Sequence, residues 1–222
     1  MLPYVVIHSA VSVDGRMDRL AVDMGLYYSL LSTWNEDCTL SSAETMLSSG
    51  IGEWEHDGTT DDSKPLLAVV DSRGRFKHWK NAAPSPYWRQ GVALASRATP
   101  ATHLDDVRAA GAEVVVAGEE RVDLRAALEE LSSRFGVRTV RVDSGGTLNG
   151  ALLRAGLVDE VSVVVMPQLI GGTSPSSLFR ADDLASDEGV IAAELMSSRK
   201  LKGGAVWLRY RVPKLSTPDR SP

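Results

Sequence analysis

The run from Thr139 to Glu160, TVRVDSGGTLNGALLRAGLVDE, limits what this chain can fold into more than any other stretch. The apolar, β-prone residues Thr139 to Val142 form a strand that ends at Asp143. Gly145 and Gly146 follow and leave room for a close approach. Thr147 is placed to cap a helix whose apolar positions are Leu148, Ala151, Leu152 and Ala155. Gly156 stops that helix, as a glycine just past a C-terminus commonly does, and a new strand starts at Val158. A helix start with free backbone N–H groups and no side chain in front of it attracts anions. It suits a cofactor pyrophosphate, and the same spacing equally describes an ordinary tight strand-to-helix turn.

The rest of the chain repeats this alternation. Residues 4–13 are apolar, small or β-prone, as in a central strand covered on both faces, and Asp14, Gly15 and Arg16 turn the chain. Leu26 to Trp34 reads as a short helix, Cys38 to Leu40 as a strand, and Ala43 to Ser48 as a helix capped by Ser41 or Ser42. Further strands are expected at Leu66–Val70, Val92–Ala95, Val114–Ala117 and Val158–Met166. Leu104 to Ala110 should be a helix with Asp105 in its first turn. From Asp123 to Phe135 the residues Leu124, Ala127, Leu128, Leu131 and Phe135 mark one helical face. Trp79 to Arg89, with Pro84, Pro86, Tyr87 and Trp88, is a connector. Ala193–Leu201 and Ala205–Val212 alternate around Lys202, Gly203 and Gly204, as an antiparallel hairpin does. The expectation is an α/β domain over residues 1–215 with a mostly parallel sheet and an antiparallel edge, followed by a disordered tail at 216–222.

Composition narrows the function classes. At 222 residues and 43% hydrophobic, the chain can bury a substantial core. No apolar run approaches the ~20 residues of a membrane span, and no signal peptide is read at the start. A single cysteine, Cys38, fits a reducing, cytoplasmic setting. The net charge of −5 argues against a nucleic-acid partner but is compatible with a phosphorylated small molecule held by a local group of arginines. His8, His56, His78 and His103 show no ligand spacing, so no metal is expected; the acidic stretch Gly50–Lys64 reads as a solvated loop.

In an open parallel sheet, ligands bind at the carboxyl ends of the strands. Four such ends are small, polar or basic: Ser72 to Arg75, Ser96–Arg97, Gly118–Glu119 and Ser144 to Thr147. Glycines and helix amides suit a pyrophosphate, and arginines with serines suit the 2′-phosphate of NADPH. Asp71 opposes this preference, because an acid at a strand end can select a free ribose hydroxyl. G-x-G-x-x-G, G-K-[ST] and G-x-S-x-G are all missing, which weakens ordinary Rossmann, kinase and hydrolase readings.

Three blocks carry a resemblance. Ser12 to Arg16 (SVDGR), Asp37 to Thr45 (DCTLSSAET) and above all Val142 to Glu160 with Pro167 to Gly172 resemble the riboflavin-pathway pyrimidine reductases, which share the dihydrofolate-reductase-like fold. Asp71 to Arg75 is similar to that family's segment for the adenosine phosphate. The resemblance spans roughly residues 3–212. It implies a three-layer αβα fold with a mixed, mostly parallel sheet, NADPH as cofactor, and a homodimer built on the C-terminal hairpin. It implies cofactor contacts at Ser42, Thr45, Ser72, Arg73, Ser144, Gly145, Gly146, Thr147 and Leu148, to which the strand-end pattern adds Ser96, Arg97 and Gly118. Asp143 would meet the sugar of the substrate, with Ser12 and Asp14 on the floor of the site.

The reaction implied is reduction of 5-amino-6-(5-phosphoribosylamino)uracil or of 2,5-diamino-6-ribosylamino-pyrimidinone phosphate, with hydride placed on C1′ of the ribosyl group after its ring opens to an imine. Asp14 and Asp143 are the candidates for the accompanying proton, and Arg16 and Arg180 for the substrate phosphate. The chain departs from the pattern in two places. Met46 to Gly50 stands where the family has an Ala-Asp-Asp-Pro-like segment, and Asp143 stands where many members have glutamate. These departures keep two alternatives open: a reductase of a pterin, dihydrofolate-like or other small substrate, and a non-catalytic nucleotide-binding protein. Leu26, Tyr27, Tyr28, Tyr87 and Trp88 have no counterpart and are read as core rather than as a pocket wall.

Overall fold

In the computed structural model of the protein, which describes residues 1–54, 61–173 and 176–214, strands and helices alternate for most of the chain. The order is β1 (Tyr4–Ser12), α1 (Met24–Ser29), β2 (Cys38–Ser42), α2 (Ala43–Ser48), β3 (Leu66–Val70), α3 (Trp79–Ala82), β4 (Gln90–Ala95), α4 (Ala101–Ala109) and β5 (Glu113–Val116). It continues with α5 (Leu124–Phe135), β6 (Thr139–Val142), α6 (Gly146–Arg154), β7 (Glu160–Met166), β8 (Glu194–Lys200) and β9 (Val206–Arg211). Residues 216–222 of the expected tail, and Glu55, His56 and Asp57 of the acidic loop, lie outside the described residues.

The strands form one sheet in the order β5-β4-β3-β2-β6-β1-β7-β9-β8. Among them only β9 runs against the rest, pairing antiparallel with both β7 and β8. Residues alternate between faces along each strand, so β3 sends Leu66 and Ala68 to one core and Leu67 and Val69 to another. The first core joins β1, β2 and β6 to Leu128 and Leu131 of α5 and to Leu148 and Leu152 of α6. On the opposite face, Met46 of α2, Trp79 of α3 and Val107 of α4 cover the β3–β4 end. Tyr27 of α1 and Trp34 cover Val6, Val164 and Trp207 toward β9. This is the three-layer αβα arrangement with a mixed, mostly parallel sheet and a C-terminal hairpin.

Local chemistry sets the helix ends. Asp23 caps α1 through Leu26 N, so that helix begins before the Leu26 of the sequence reading and gives way to a 3-10 turn at Leu31–Thr33. Asp123 caps α5, and Gly136, at φ +68°, ends it while its neighbour Val137 N reaches back to Leu131 O. Pro100 precedes α4, which therefore starts at Ala101; Asp105 sits beyond the first turn expected for it. The connector after β3 includes the single turn α3.

Two adjacencies build the site. β6 lies between β2 and β1, and β2 runs straight into α2 through the N-cap Ser42. The starts of α2 and α6 therefore stand side by side at the carboxyl end of the sheet.

Candidate active site

The two helix starts are joined by three hydroxyls. Thr45 Oγ1 lies 3.0 Å from Ser42 Oγ and 3.1 Å from Ser144 Oγ, and Ser144 Oγ lies 3.0 Å from Ser42 Oγ. Thr45 Oγ1 also accepts from Gly145 N at 3.2 Å. Thus one amide of the glycine turn is already satisfied by the protein. Gly145, not Thr147, is the N-cap of α6, and it offers no side chain to the helix end. The amides of Gly146, Thr147 and Leu148 open α6 with no side-chain cap.

A cleft of about 530 Å³ lies in front of them. Its lining includes Ser42, Thr45, Ser72, Arg73, Gly145, Gly146, Thr147 and Leu148, so most of the residues expected at a cofactor meet in one place. Arg75, Arg121 and Arg180, with Val122 and Leu124 as apolar lining, also face it. Arg121 was not singled out from the sequence. It precedes α5 like any surface arginine, and it reaches the site because Val122 N donates to Ser72 Oγ at 3.0 Å.

The aspartate that opposed NADPH is otherwise engaged. Asp71 is buried, and its Oδ2 accepts from Phe76 N at 2.7 Å and lies 3.6 Å from Nε2 of buried His103. It folds the loop that carries Ser72, Arg73 and Arg75 back over α4. Gly74, at φ +64°, rests on the His103 ring; a Cβ there would be 2.8 Å from Cγ.

The glycines of the turn divide their work. A Cβ on Gly145 would find only Thr45 Oγ1, at 3.9 Å. On Gly146 it would lie 2.0 Å from the Ser177 carbonyl oxygen, and Arg180 N donates to Gly146 O at 3.0 Å. The close approach expected of a ligand at Gly146 is made instead by the protein's own segment 177–180, which Asn149 Nδ2 also holds through Leu178 O.

Ser96, Arg97 and Gly118 lie outside the lining of this cleft. Ser96 is fully buried, with its amide on Thr99 Oγ1 and its hydroxyl on Glu120 O. Arg97 is exposed and paired with Glu119 at 2.9 Å. Gly118, at φ +85°, passes so near Arg121 O that a Cβ would sit 2.3 Å away. All three hold the loops around the cleft rather than face into it.

Asp14 also has structural work. Its Oδ1 accepts from Ser12 Oγ at 2.6 Å and Ile170 N at 3.1 Å, and its Oδ2 from Gly171 N at 2.7 Å. The Ser12 hydroxyl first, then the two amides, hold its carboxyl well below the usual range. Asp14 thereby staples the turn after β1 to the loop after β7. Arg16, a candidate for the substrate phosphate, donates to Gly172 O.

Asp143, at the end of β6, is different. Its backbone is fixed by Leu40 O and Ser41 Oγ, its Oδ2 accepts from Arg141 Nη1 at 2.8 Å, and its side chain is 35% exposed. Burial pushes the Glu36 carboxyl up, while Arg141 beside it opposes the change. Of the aromatics read as core, Tyr27 is buried and Trp88 packs partly buried against the β3–β4 core, whereas Tyr28 and Tyr87 are largely exposed and correct that reading. The Tyr28 hydroxyl is raised by burial and then by the charge of Asp143. Met46, in the segment that departs from the family pattern, packs into the core as part of α2, and Ser48 and Ser49 bond back to Thr45 O and Met46 O.

Fold and cleft define a three-layer α/β protein with an open groove at the carboxyl ends of its parallel strands. More narrowly, the sequence matches the RibD C-terminal domain over residues 3–207, and the chain belongs to that family. It is 30% identical to the 2,5-diamino-6-ribosylamino-4(3H)-pyrimidinone 5′-phosphate reductase of Methanothermobacter thermautotrophicus, covering 96% of this chain and 99% of that one. It is 32% identical to the protein of the same name from Archaeoglobus fulgidus, covering 78% and 84%. Among solved structures, a pyrimidine reductase-like protein from Corynebacterium diphtheriae shares the fold with a TM-score of 0.71 at 17% identity, covering 95% and 92%. The riboflavin biosynthesis reductase of Saccharomyces cerevisiae does so with a TM-score of 0.62 at 17% identity, covering 96% and 90%. No helix among the described residues is long and apolar enough to cross a membrane.

Proposed function

We propose that the protein is an NADPH-dependent reductase of riboflavin biosynthesis acting on 2,5-diamino-6-ribosylamino-4(3H)-pyrimidinone 5′-phosphate, the compound in the names of its archaeal relatives. The observation that carries this reading is the single cleft that joins the uncapped start of α6, Thr45 of α2 and the arginines Arg73, Arg75 and Arg121.

The residues fit the cofactor. The volume suits a small-molecule site, and the open space at Gly145 admits a bulky anion to the helix end. The amides of Gly146, Thr147 and Leu148 would hold the diphosphate. Arg73, Arg75 and Arg121 would hold the 2′-phosphate, since Asp71 is committed to Phe76 N. Bound there, the cofactor supplies a hydride. The chain's own part is to bind and align. The Thr45–Ser144–Ser42 hydroxyls fix the two helix starts relative to each other, and Asp143 faces the substrate sugar with the oxygen that Arg141 leaves free. Asp14 keeps the floor of the site closed through the 168–171 loop.

The test is oxidation of NADPH, followed by its absorbance, with the ribosylaminopyrimidine phosphate as acceptor. Cofactor binding without turnover would keep the fold and reject the substrate. We further place the enzyme in the cytoplasm and expect a homodimer. β8 is exposed along most of its length, with Leu195 59% and Met196 42% accessible, which suits a second copy. Light scattering that gives a monomer's mass would reject the dimer.

A further inference from the structure

Strand β6 reads Thr-Val-Arg-Val, and its arginine lies deep in the sheet. Arg141 pairs in register with Val6 of β1 and Thr39 of β2 and is 3% exposed. Each nitrogen of its guanidinium has a partner. Nε and Nη2 donate to the carboxylate of Glu36, Nη2 also lies 3.3 Å from Thr39 Oγ1, and Nη1 donates to Asp143 Oδ2 at 2.8 Å. Asp143, one residue past the end of β6, turns its carboxylate to the same side as Arg141 and pairs with it. Among the described residues no donor reaches Asp143 Oδ1, and the side chain is one-third exposed.

Stability does not call for an arginine here. A buried ion triad replaced as a whole by apolar side chains of similar size often loses little stability or gains some, and the other positions of β6 are β-branched. What the arginine does, and an aliphatic residue would not, is to clamp one oxygen of the partly exposed Asp143 carboxylate and leave the other without a donor among the described residues. Glu36 offsets its charge from the far side, so the formal charges of the three groups sum to −1.

We propose that Arg141 is the positioning residue of Asp143, holding Oδ1 as a fixed acceptor for hydroxyl or amino donors of the phosphorylated ribosylaminopyrimidine. This inference rests on the reductase reading of the site. The cofactor cleft has no contact with Arg141 in its lining, so substrate and cofactor effects separate.

The experiment compares the wild type with R141M, R141K, D143N and the double variant R141M/D143N. R141M leaves the buried Glu36 carboxylate without its cation and is expected to lower the melting temperature, while still binding NADPH within twofold of wild type. Its KM for the pyrimidine phosphate should rise about tenfold or more, the loss of one charge-assisted hydrogen bond, with a smaller change in kcat. R141K keeps the charge without the fork and should recover part of the loss. The double variant should be no worse than D143N, because both substitutions remove one interaction. Losses that multiply, or an unchanged KM in both R141M and R141K, overturn the proposal. If R141M does not fold, R141K and D143N carry the same comparison. Should the wild type bind NADPH but reduce no pyrimidine, the reductase reading fails by itself. The positioning role is then decided by a crystal structure of R141K: a displaced Asp143 carboxylate sustains it, and an unmoved one overturns it.

Discussion

Gly150, in the middle of α6, faces the carbonyl oxygen of Arg180 so closely that a methyl group added to it would lie 1.8 Å away. The contact is backbone against backbone, so no flexible side chain can yield. Gly146, one turn earlier, meets Ser177 O in the same way. Segment 177–180 thus lies in a groove that the two glycines open along α6. A Gly150→Ala change would ordinarily favour a helix. Here it should destabilise by about 2–3 kcal/mol or more, as overpacking against fixed backbone does. Chemical denaturation measures this; a variant as stable as wild type would mean that 177–180 does not pack on α6.

Gly145 separates ligand binding from folding. Its backbone is extended, at φ −78° and ψ 169°, and an added Cβ meets nothing closer than 3.9 Å. Gly145→Ala should therefore leave stability within about 0.5 kcal/mol of wild type. In a cleft where a diphosphate meets the helix start, the same methyl should weaken NADPH binding by roughly tenfold, about 1.4 kcal/mol. Cofactor titration with a parallel melting curve gives both values. Gly146→Val would be a poorer probe, because it breaks the contact with Ser177 whether or not a cofactor binds.

Cofactor choice should sit with the arginines beyond β3 and before α5. Arg73 and Arg121 line the same cleft from two loops tied by the Val122–Ser72 bond. Arg73→Ala and Arg121→Ala should each raise the KM for NADPH by about tenfold and leave that for NADH nearly unchanged, since only the first carries the phosphate. Equal effects on both cofactors would move the 2′-phosphate elsewhere.

The frame of the molecule was readable because its signals are local. The run Leu66–Val70 and the helical face of α5 announce themselves by period alone, and Asp123 and Gly136 bracket α5 at its ends. Ser42, Thr45 and the 145–148 turn converge on one cleft because strand ends of a parallel sheet share an edge. What stayed hidden depends on partners distant in sequence. A glycine that admits a ligand and one that admits a neighbouring segment look alike, so Gly146 could not be separated from Gly145 without seeing Ser177. Ser96 and Arg97 occupy a strand end, as a ligand site does, but the hydroxyl of Ser96 is buried on Glu120 O and Arg97 pairs with Glu119 outside the lining of the cleft. The structural work of Asp14 is hidden for the same reason, since the amides of Ile170 and Gly171 are more than 150 positions away. Arg141 did leave a signal: a charge inside an otherwise apolar strand, two residues before Asp143.

His8 should give the protein an acid limb. It is fully buried on β1, with Nδ1 2.9 Å from Ser162 Oγ, its ring stacked on Tyr27 at 4.3 Å, and no partner for Nε2 among the described residues. Burial, and then the charge of Arg141, lower its pKa to about 4 from the usual value near 6.5. The unfolded chain therefore takes up a proton at His8 below about pH 6.5, while the native chain does not until about pH 4. Between those values the unfolded state binds more protons, so stability falls as the pH is lowered, by roughly 3 kcal/mol in all. Below about pH 4 both states are protonated and this contribution stops changing. Urea unfolding of wild type and His8→Gln across pH 4–7 should show a shallower acid slope in the variant, by up to one proton. Equal slopes would place the His8 ring in contact with water.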